Sequence, residues 1–128
     1  MRAARIFALG LVSAAVLATA APASADAAAY RKYVACGTSG KANPSHVCPV
    51  SRASQGKVGA FFRSNVGDVF YKVCVKFPGA RVPRCAGKQK AEKGKLYVNP
   101  ITSDQIGRHR VTWFVKGQRV GAFAFTLR

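Results

Sequence analysis

The sequence predicts an all-β domain, an antiparallel β-sandwich of about seven short strands held by two local disulfides. Three observations lead to this prediction. Apolar and polar residues alternate in several short segments, as half-buried strands require. No amphipathic helix and no internal repeat is visible. The four cysteines follow an export leader, and an even count in a short exported chain is typical of a disulfide framework.

The first 25 residues have the three parts of a secretory signal peptide. A basic start (residues 1–5) precedes an apolar run (6–21), and Ala23-Ser24-Ala25 is the small-x-small pattern before a cleavage site. The apolar run is short for a membrane span. We therefore expect a secreted protein without a transmembrane segment after cleavage. Its 103 mature residues (128 minus 25) would form one domain, with an N-terminal arm and disulfide-closed loop at 26–56 and a sandwich core at 57–128.

The first half of the mature chain predicts an edge strand, a long loop and two strands. Residues 30–34 fit a short edge strand, and residues 37–56 are rich in Gly, Ser, Asn and Pro, a composition typical of a loop. Residues 57–63 are the next candidate strand. The clearest strand spans residues 69–77, in which the odd-numbered residues form an apolar face. The opposite face carries Lys72, Cys74 and Lys76.

The second half predicts an exposed basic stretch followed by three strands. Residues 81–95 are polar and contain six basic residues, so we expect them to be exposed. Residues 102–107 are typical of a helical turn, since hydroxyl and Asx residues can cap it and its terminal glycine can close it. The first of these strands begins at residues 95–99. The second covers residues 109–115, in which buried-type and polar side chains alternate. After a hairpin loop at 116–118, the last strand has Phe123, Phe125 and Leu127 on one face.

Four cysteines allow three connectivities, of which local sequence favours the two short-range pairs, Cys36–Cys48 and Cys74–Cys85. The second pair follows from a hairpin register. If Gly79-Ala80 is the two-residue tip, Cys74 lies opposite Cys85, where Cβ atoms approach bonding distance. A Pro78-Gly79 tip would shift this register by two residues. A Cys48–Cys74 bridge would contradict it.

The C-terminal pattern resembles the last hairpin of bacterial immunoglobulin-like domains. It reads Asp104-x-x-Gly107-x-His109-x-Val111-x-Trp113-x-Val115-x-Gly117-x-x-Val120, followed by Phe123 and Phe125. The resemblance covers about residues 95–128, and His109 stands where a corner tyrosine is often found. Unlike antibody domains, the chain lacks the cysteine spacing of a bridge between two sheets, and its Trp comes late. The resemblance implies an immunoglobulin-like sandwich and no particular function.

The charge balance of the mature chain points to anionic partners. Removal of Arg2 and Arg5 leaves 19 Lys and Arg (21 minus 2) against 4 acids, a net charge of +15. We expect a non-enzymatic binding domain for anionic envelope polymers, glycans or lipid head groups. The alternatives are a merely solvated surface, a protein-binding module or enzyme inhibitor presenting the 36–48 loop, and a small secreted enzyme. The candidate anion-binding residues are Lys72, Lys76, Arg81, Arg84, Lys88, Lys90, Lys93 and Lys95.

Patterns for catalysis and metal binding are weak. Ser45-His46-Val47-Cys48 resembles the Ser-His-Gly-Cys of L,D-transpeptidases with valine in place of glycine, and a disulfide-bonded Cys48 is the favoured interpretation. Ser45 could be combined with His109 and Asp104 as a triad, but no Gly-x-Ser-x-Gly elbow accompanies them. We predict no catalytic residue, no metal and no cofactor. The aromatics alternate as strand-core residues, so no nucleic-acid partner is expected.

Overall fold

A computed structural model describes residues 29–128; the predicted signal peptide, residues 1–25, lies outside the described residues. Within this range the chain forms strands and one single-turn helix. β8 and β9 form an antiparallel hairpin, whereas the short segment between β3 and β4 carries the chain from one sheet to the other. The strands are β1 Tyr30–Ala35, β2 Val47–Cys48, β3 Val58–Ser64, β4 Val69–Lys76, β5 Arg84–Cys85, β6 Gln89–Ala91, β7 Leu96–Ile101, β8 Gly107–Val115 and β9 Gln118–Leu127, and helix α1 is Val50–Ala53.

The strand order identifies the architecture as an immunoglobulin-like sandwich. One sheet has the order β1-β3-β7, and the other has the order β2-β9-β8-β4-β5, with β6 also paired to β4. These correspond to the A-B-E and G-F-C arrangements of that fold. β2 pairs with β9 in parallel, whereas the other strand pairs between named strands are antiparallel. The predicted fold class is therefore confirmed.

Alternating apolar side chains of both sheets fill the space between them. The four odd-numbered positions predicted for the β8 apolar face (109, 111, 113 and 115) are all buried, and Trp113 is fully enclosed at the strand centre. Phe62 of β3 stacks on Tyr71 of β4, with ring centroids 4.2 Å apart, and so joins the two sheets. The Tyr71 hydroxyl lies 3.0 Å from Asn99 Oδ1. Burial, with a smaller contribution from Tyr97, raises the pKa of Tyr71 to about 12, so this phenol stays neutral.

The N-terminal segment is tied to both sheets. β1 is an edge strand paired with β3, as predicted, and its Val34 is fully buried. The following irregular segment is closed by the predicted Cys36–Cys48 disulfide. The His46 ring stacks on Phe123 at 4.3 Å and thereby holds this segment against β9. The composition gave no sign of β2 and α1, because each is only a few residues long. Within residues 29–128, no helix is long and apolar enough to span a bilayer.

The Cys74–Cys85 disulfide is confirmed, but the turn that leads to it differs from the prediction. Cys74 lies directly opposite Cys85, with 4.0 Å between their Cα atoms. The tip is Pro78-Gly79, because the N–H of Ala80 donates to the carbonyl of Phe77 and Gly79 has φ +75°. The register is nevertheless kept, since the chain leaves the ladder after Lys76 and rejoins it only at β5. The unpaired residues between the turn and β5 make up the two-residue difference in register that the Pro78-Gly79 tip would otherwise cause.

One further local prediction is wrong, and a second is correct in place but one residue too long. The segment 102–106 is an extended loop without a helical turn, because the Ser103 hydroxyl accepts the N–H of Gln105 and bonds His109 instead of capping a helix. The hairpin loop predicted at 116–118 is a two-residue turn, and β9 already begins at Gln118. Its residues, Lys116 and Gly117, have φ of 54° and 77°, as a type I′ turn requires.

Candidate anion-binding face

The outer surface of the β9-β8-β4 sheet collects exposed cationic side chains. On β8, burial of His109 and Val111 places the residues that alternate with them, Arg108 and Arg110, on the outer surface. Strand pairing then sets Lys76 of β4 opposite Arg110, and Lys72 opposite Phe114. Directly paired residues of an antiparallel ladder point to the same side of the sheet. We call the surface that carries Lys72, Lys76, Arg108 and Arg110 the basic face.

None of these four cations is ion-paired within residues 29–128. The carboxylate side chains in that range are Asp68, Glu92 and Asp104. Glu92 pairs with Lys95, with 3.8 Å between Nζ and Oε2, in the turn between β6 and β7. A group of like charges without local neutralisation attracts anions from solution. Disulfide Cys74–Cys85 lies in the middle of the basic face and holds short strand β5 against β4.

The eight sequence-predicted anion-binding residues separate into three groups. Lys72, Lys76, Lys88 and Lys90 lie on or beside the basic face. Arg84 pairs with Val75, whose side chain belongs to the inner face, and its guanidinium stacks over Phe77 at 5.1 Å. The others lie in loops at opposite ends of the β4–β6 region: Arg81 between β4 and β5, and Lys93 and Lys95 beside the β6–β7 turn.

Four cations of this surface were absent from the sequence-based set. Arg108 and Arg110 come from β8, and Lys116 and Arg119 come from the β8–β9 hairpin. All four are exposed. The alternation of residues 109–115 already placed Arg110 on the polar side of its strand. The missing information was that β8 pairs with β4, because long-range pairing cannot be read from local alternation.

Aromatic rings interrupt the basic face at the end nearest the β8–β9 turn. Phe70, near the start of β4, is 53% exposed and lies opposite Lys90 of β6. The ammonium of Lys88 lies 5.4 Å from its ring centroid, and the ammonium of Lys72 lies 5.4 Å from that of Phe114. These are cation–π distances. Together with Asp68 and Lys116 these residues line a groove of about 410 Å³, which we call the aromatic groove.

The structure gives the predicted Ser45-His46-Val47-Cys48 motif a structural role. Cys48 is bonded to Cys36, so this position holds no thiol for nucleophilic attack. Ser45 Oγ donates to the carbonyl of Val47 at 2.8 Å, and His46 Nδ1 lies 2.9 Å from the carbonyl oxygen of Ala124. These contacts fix the loop against β9.

His109 acts as a corner residue at the start of β8, as predicted. Its Nδ1 lies 3.0 Å from the Gly107 carbonyl oxygen, and its Nε2 lies 2.8 Å from Ser103 Oγ. A carbonyl oxygen only accepts, so Nδ1 carries the proton and the neutral Nε2 accepts from Ser103. His109 is fully buried and Ser103 is 7% exposed, so this serine–histidine pair lies beneath the surface. Neither Ser45 nor Asp104 hydrogen-bonds this imidazole.

We expect His109 to make stability depend on pH. Burial lowers the pKa of His109 below its usual 6.5, with the Gly107 hydrogen bond partly opposing the shift. The unfolded state therefore binds more protons, and the free energy of unfolding decreases as pH falls below 6.5 towards the folded-state pKa. Urea unfolding between pH 7.5 and 5 should show this decrease in the wild type and a flatter dependence in His109→Gln. The same slope in both proteins would contradict the assignment.

Comparison with known proteins adds little to these observations. No family model and no curated protein matches the chain. Among solved structures, an immunoglobulin-like protein from Pseudomonas aeruginosa matches with 13% sequence identity and a TM-score of 0.41, covering 77% of this chain and 91% of that one. The fold class therefore follows from the strand order of the two sheets and not from this likeness.

Proposed function

We propose that this domain is a non-enzymatic binding module that holds linear anionic polymers outside the cell, and that the basic face is its binding surface. The single observation that carries the proposal is the convergence of β4 and β8 cations on one exposed sheet surface without carboxylate partners among the described residues. The two disulfides fit an oxidising compartment. The predicted signal peptide, residues 1–25, would direct the domain out of the cell.

The spacing of the cations suits a chain of repeated negative charges. Paired strands are about 4.8 Å apart, and alternate residues along a strand are about 6.7 Å apart. From Lys72 to Lys76 the basic face therefore extends about 13 Å along β4, and the aromatic groove with Phe70 lengthens this surface to about 20 Å. A flexible lysine can follow an irregular polymer, whereas the planar guanidinium of Arg108 or Arg110 can hold a carboxylate or phosphate with two parallel hydrogen bonds. The binding free energies of several weak contacts along one polymer then sum to a measurable affinity.

The test compares two double variants that lose the same charge. Lys76→Gln with Arg110→Gln removes two cations from the centre of the basic face. Lys93→Gln with Lys95→Gln removes two cations beside the β6–β7 turn. Each cation near an anionic surface contributes about 1 kcal/mol, so we expect the first pair to weaken polymer binding about 10- to 30-fold and the second by less than about 3-fold.

Binding is measured by titration calorimetry with the oxidised mature protein and a linear polyphosphate, at low and high ionic strength. Wild-type affinity should decrease steeply with added salt. Equal losses in the two double variants would show that net charge alone attracts the polymer and that the basic face has no special role. Absence of wild-type binding at low ionic strength would refute the proposed function.

A further inference from the structure

The aromatic groove, at one end of the basic face, contains side chains that attraction of anions does not require. A surface meant only to attract anions has no need for Phe70, whose ring is 53% exposed beside paired Lys90. Exposed phenyl area costs about 25 cal/mol per Å² relative to burial. Aromatic rings that line a groove together with charged groups suit a ligand that has an apolar side.

Three kinds of group converge in this groove. The faces of Phe70 and Phe114 carry partial negative charge, which attracts the cations of Lys88 and Lys72 and would equally attract polarised C–H bonds. The ammonium groups supply positive charge. Asp68 supplies a carboxylate whose Oδ1 accepts the N–H of Lys93 at 2.9 Å, which fixes its position at the rim.

We propose that the aromatic groove binds one sugar ring of an acidic polysaccharide, with the ring stacked on phenyl, its acid group on lysine and a hydroxyl donating to Asp68. This inference rests on the proposed function, because it names the class of polymer that the basic face holds. A pyranose ring has an apolar C–H side, hydroxyl donors, and in a uronic acid one carboxylate. It therefore satisfies all three kinds of group at once.

Other anionic ligands leave part of the groove unmatched. A polyphosphate has no apolar side for Phe70 and no hydroxyl for Asp68, whose carboxylate would repel it. A lipid chain has an apolar side but no donor for Asp68. An acidic glycan also continues naturally along the strand direction, where Lys76 and Arg110 meet the acid groups of the following sugars.

The experiment compares an oligogalacturonate with a linear polyphosphate of equal charge, on wild type and on Phe70→Ala. Because Phe70 is half exposed, this variant should fold, and its thermal unfolding serves as the control. We expect its affinity for oligogalacturonate to decrease about fivefold and its affinity for polyphosphate to change less than about twofold. Phe114→Ala, measured in the same way, gives a second estimate from the other ring.

A readout on the unmodified protein complements the variants. Saturation transfer from phenylalanine ring protons should reach the C–H protons of the bound sugar. Equal weakening of both polymers by Phe70→Ala, or no transfer to sugar protons, would overturn the glycan inference while leaving polyanion binding intact. Tighter binding of an oligothymidylate of equal charge would overturn it in favour of single-stranded nucleic acid. Binding of none of these polymers by the wild type would instead refute the proposed function.

Discussion

Replacing Trp113 with alanine is expected to lower the free energy of unfolding by about 3–5 kcal/mol. The indole is fully buried at the centre of β8, between Val73 of β4 and Gly121 of β9 in the ladder. Truncation removes its contacts across the sandwich and leaves a cavity that the paired strands cannot fill. Urea unfolding followed by circular dichroism measures the loss.

Two controls define what this loss means. The Trp113 Nε1 is buried and has no hydrogen-bond partner among residues 29–128. Trp113→Phe removes that unpaired donor while keeping an aromatic ring, so it should cost much less than alanine. Phe70→Ala, on the exposed surface, should cost less than about 1 kcal/mol. A loss below about 1.5 kcal/mol for Trp113→Ala would contradict its central place in the core.

Removing the Cys74–Cys85 disulfide by replacing both cysteines with alanine is expected to cost about 3 kcal/mol of stability. The bridge joins residues 11 apart in sequence and closes a loop whose two-residue strand, β5, is otherwise exposed. Without it the unfolded chain gains conformational freedom. The denaturation midpoint in urea, compared with wild type under non-reducing conditions, measures the effect.

The same variant separates the disulfide's structural role from polymer binding. Lys72, Lys76 and Arg110 are positioned by the β4–β8 ladder, which does not include β5. Below its unfolding transition, the variant should therefore bind polyphosphate within about threefold of wild type. Unchanged stability would contradict the entropic account of the bridge. Loss of binding in the folded variant would show that β5 is part of the binding surface.

Local alternation predicted most of the fold because burial repeats every second residue along a strand. It identified β4, β8 and β9 and the inward position of Trp113, and the hairpin register paired Cys74 with Cys85. It did not reveal β2 and β6, which are two and three residues long and leave no repeat to detect. The helical turn predicted at 102–107 was wrong because the Ser103 hydroxyl hydrogen-bonds the side chain of His109, six residues later, which local composition does not reveal.

The candidate site was less predictable than the fold because it depends on which strands are neighbours. Lys72 and Lys76 could be assigned to a polar strand face from sequence, but Arg108 and Arg110 join them only through the β4–β8 ladder. Arg84 illustrates the opposite case. Once Cys85 lies opposite Cys74, its neighbour Arg84 must point to the other side of the sheet. The predicted register already contained that information.

The two outward-facing phenylalanines, exposed Phe70 and half-buried Phe114, were the least predictable part of the candidate site. In sequence, Phe70 and Phe114 look like ordinary strand residues, and both stand at alternating positions next to core side chains. Their outward orientation follows from strand parity, but their meeting with Lys72 and Lys88 follows from the fold. The proposed binding face therefore combines these rings with cations that have no carboxylate partner among residues 29–128.

The central claim is that anionic polymers bind to the outer surface of β4 and β8. Titration of the isotope-labelled mature protein with linear polyphosphate, followed by amide chemical shifts, tests it most directly. We predict that the largest shifts fall on residues 72–76 and 108–112 and disappear at high ionic strength. Shifts concentrated in the 36–48 loop or at Lys93 and Lys95, with β4 and β8 unchanged, would contradict the account.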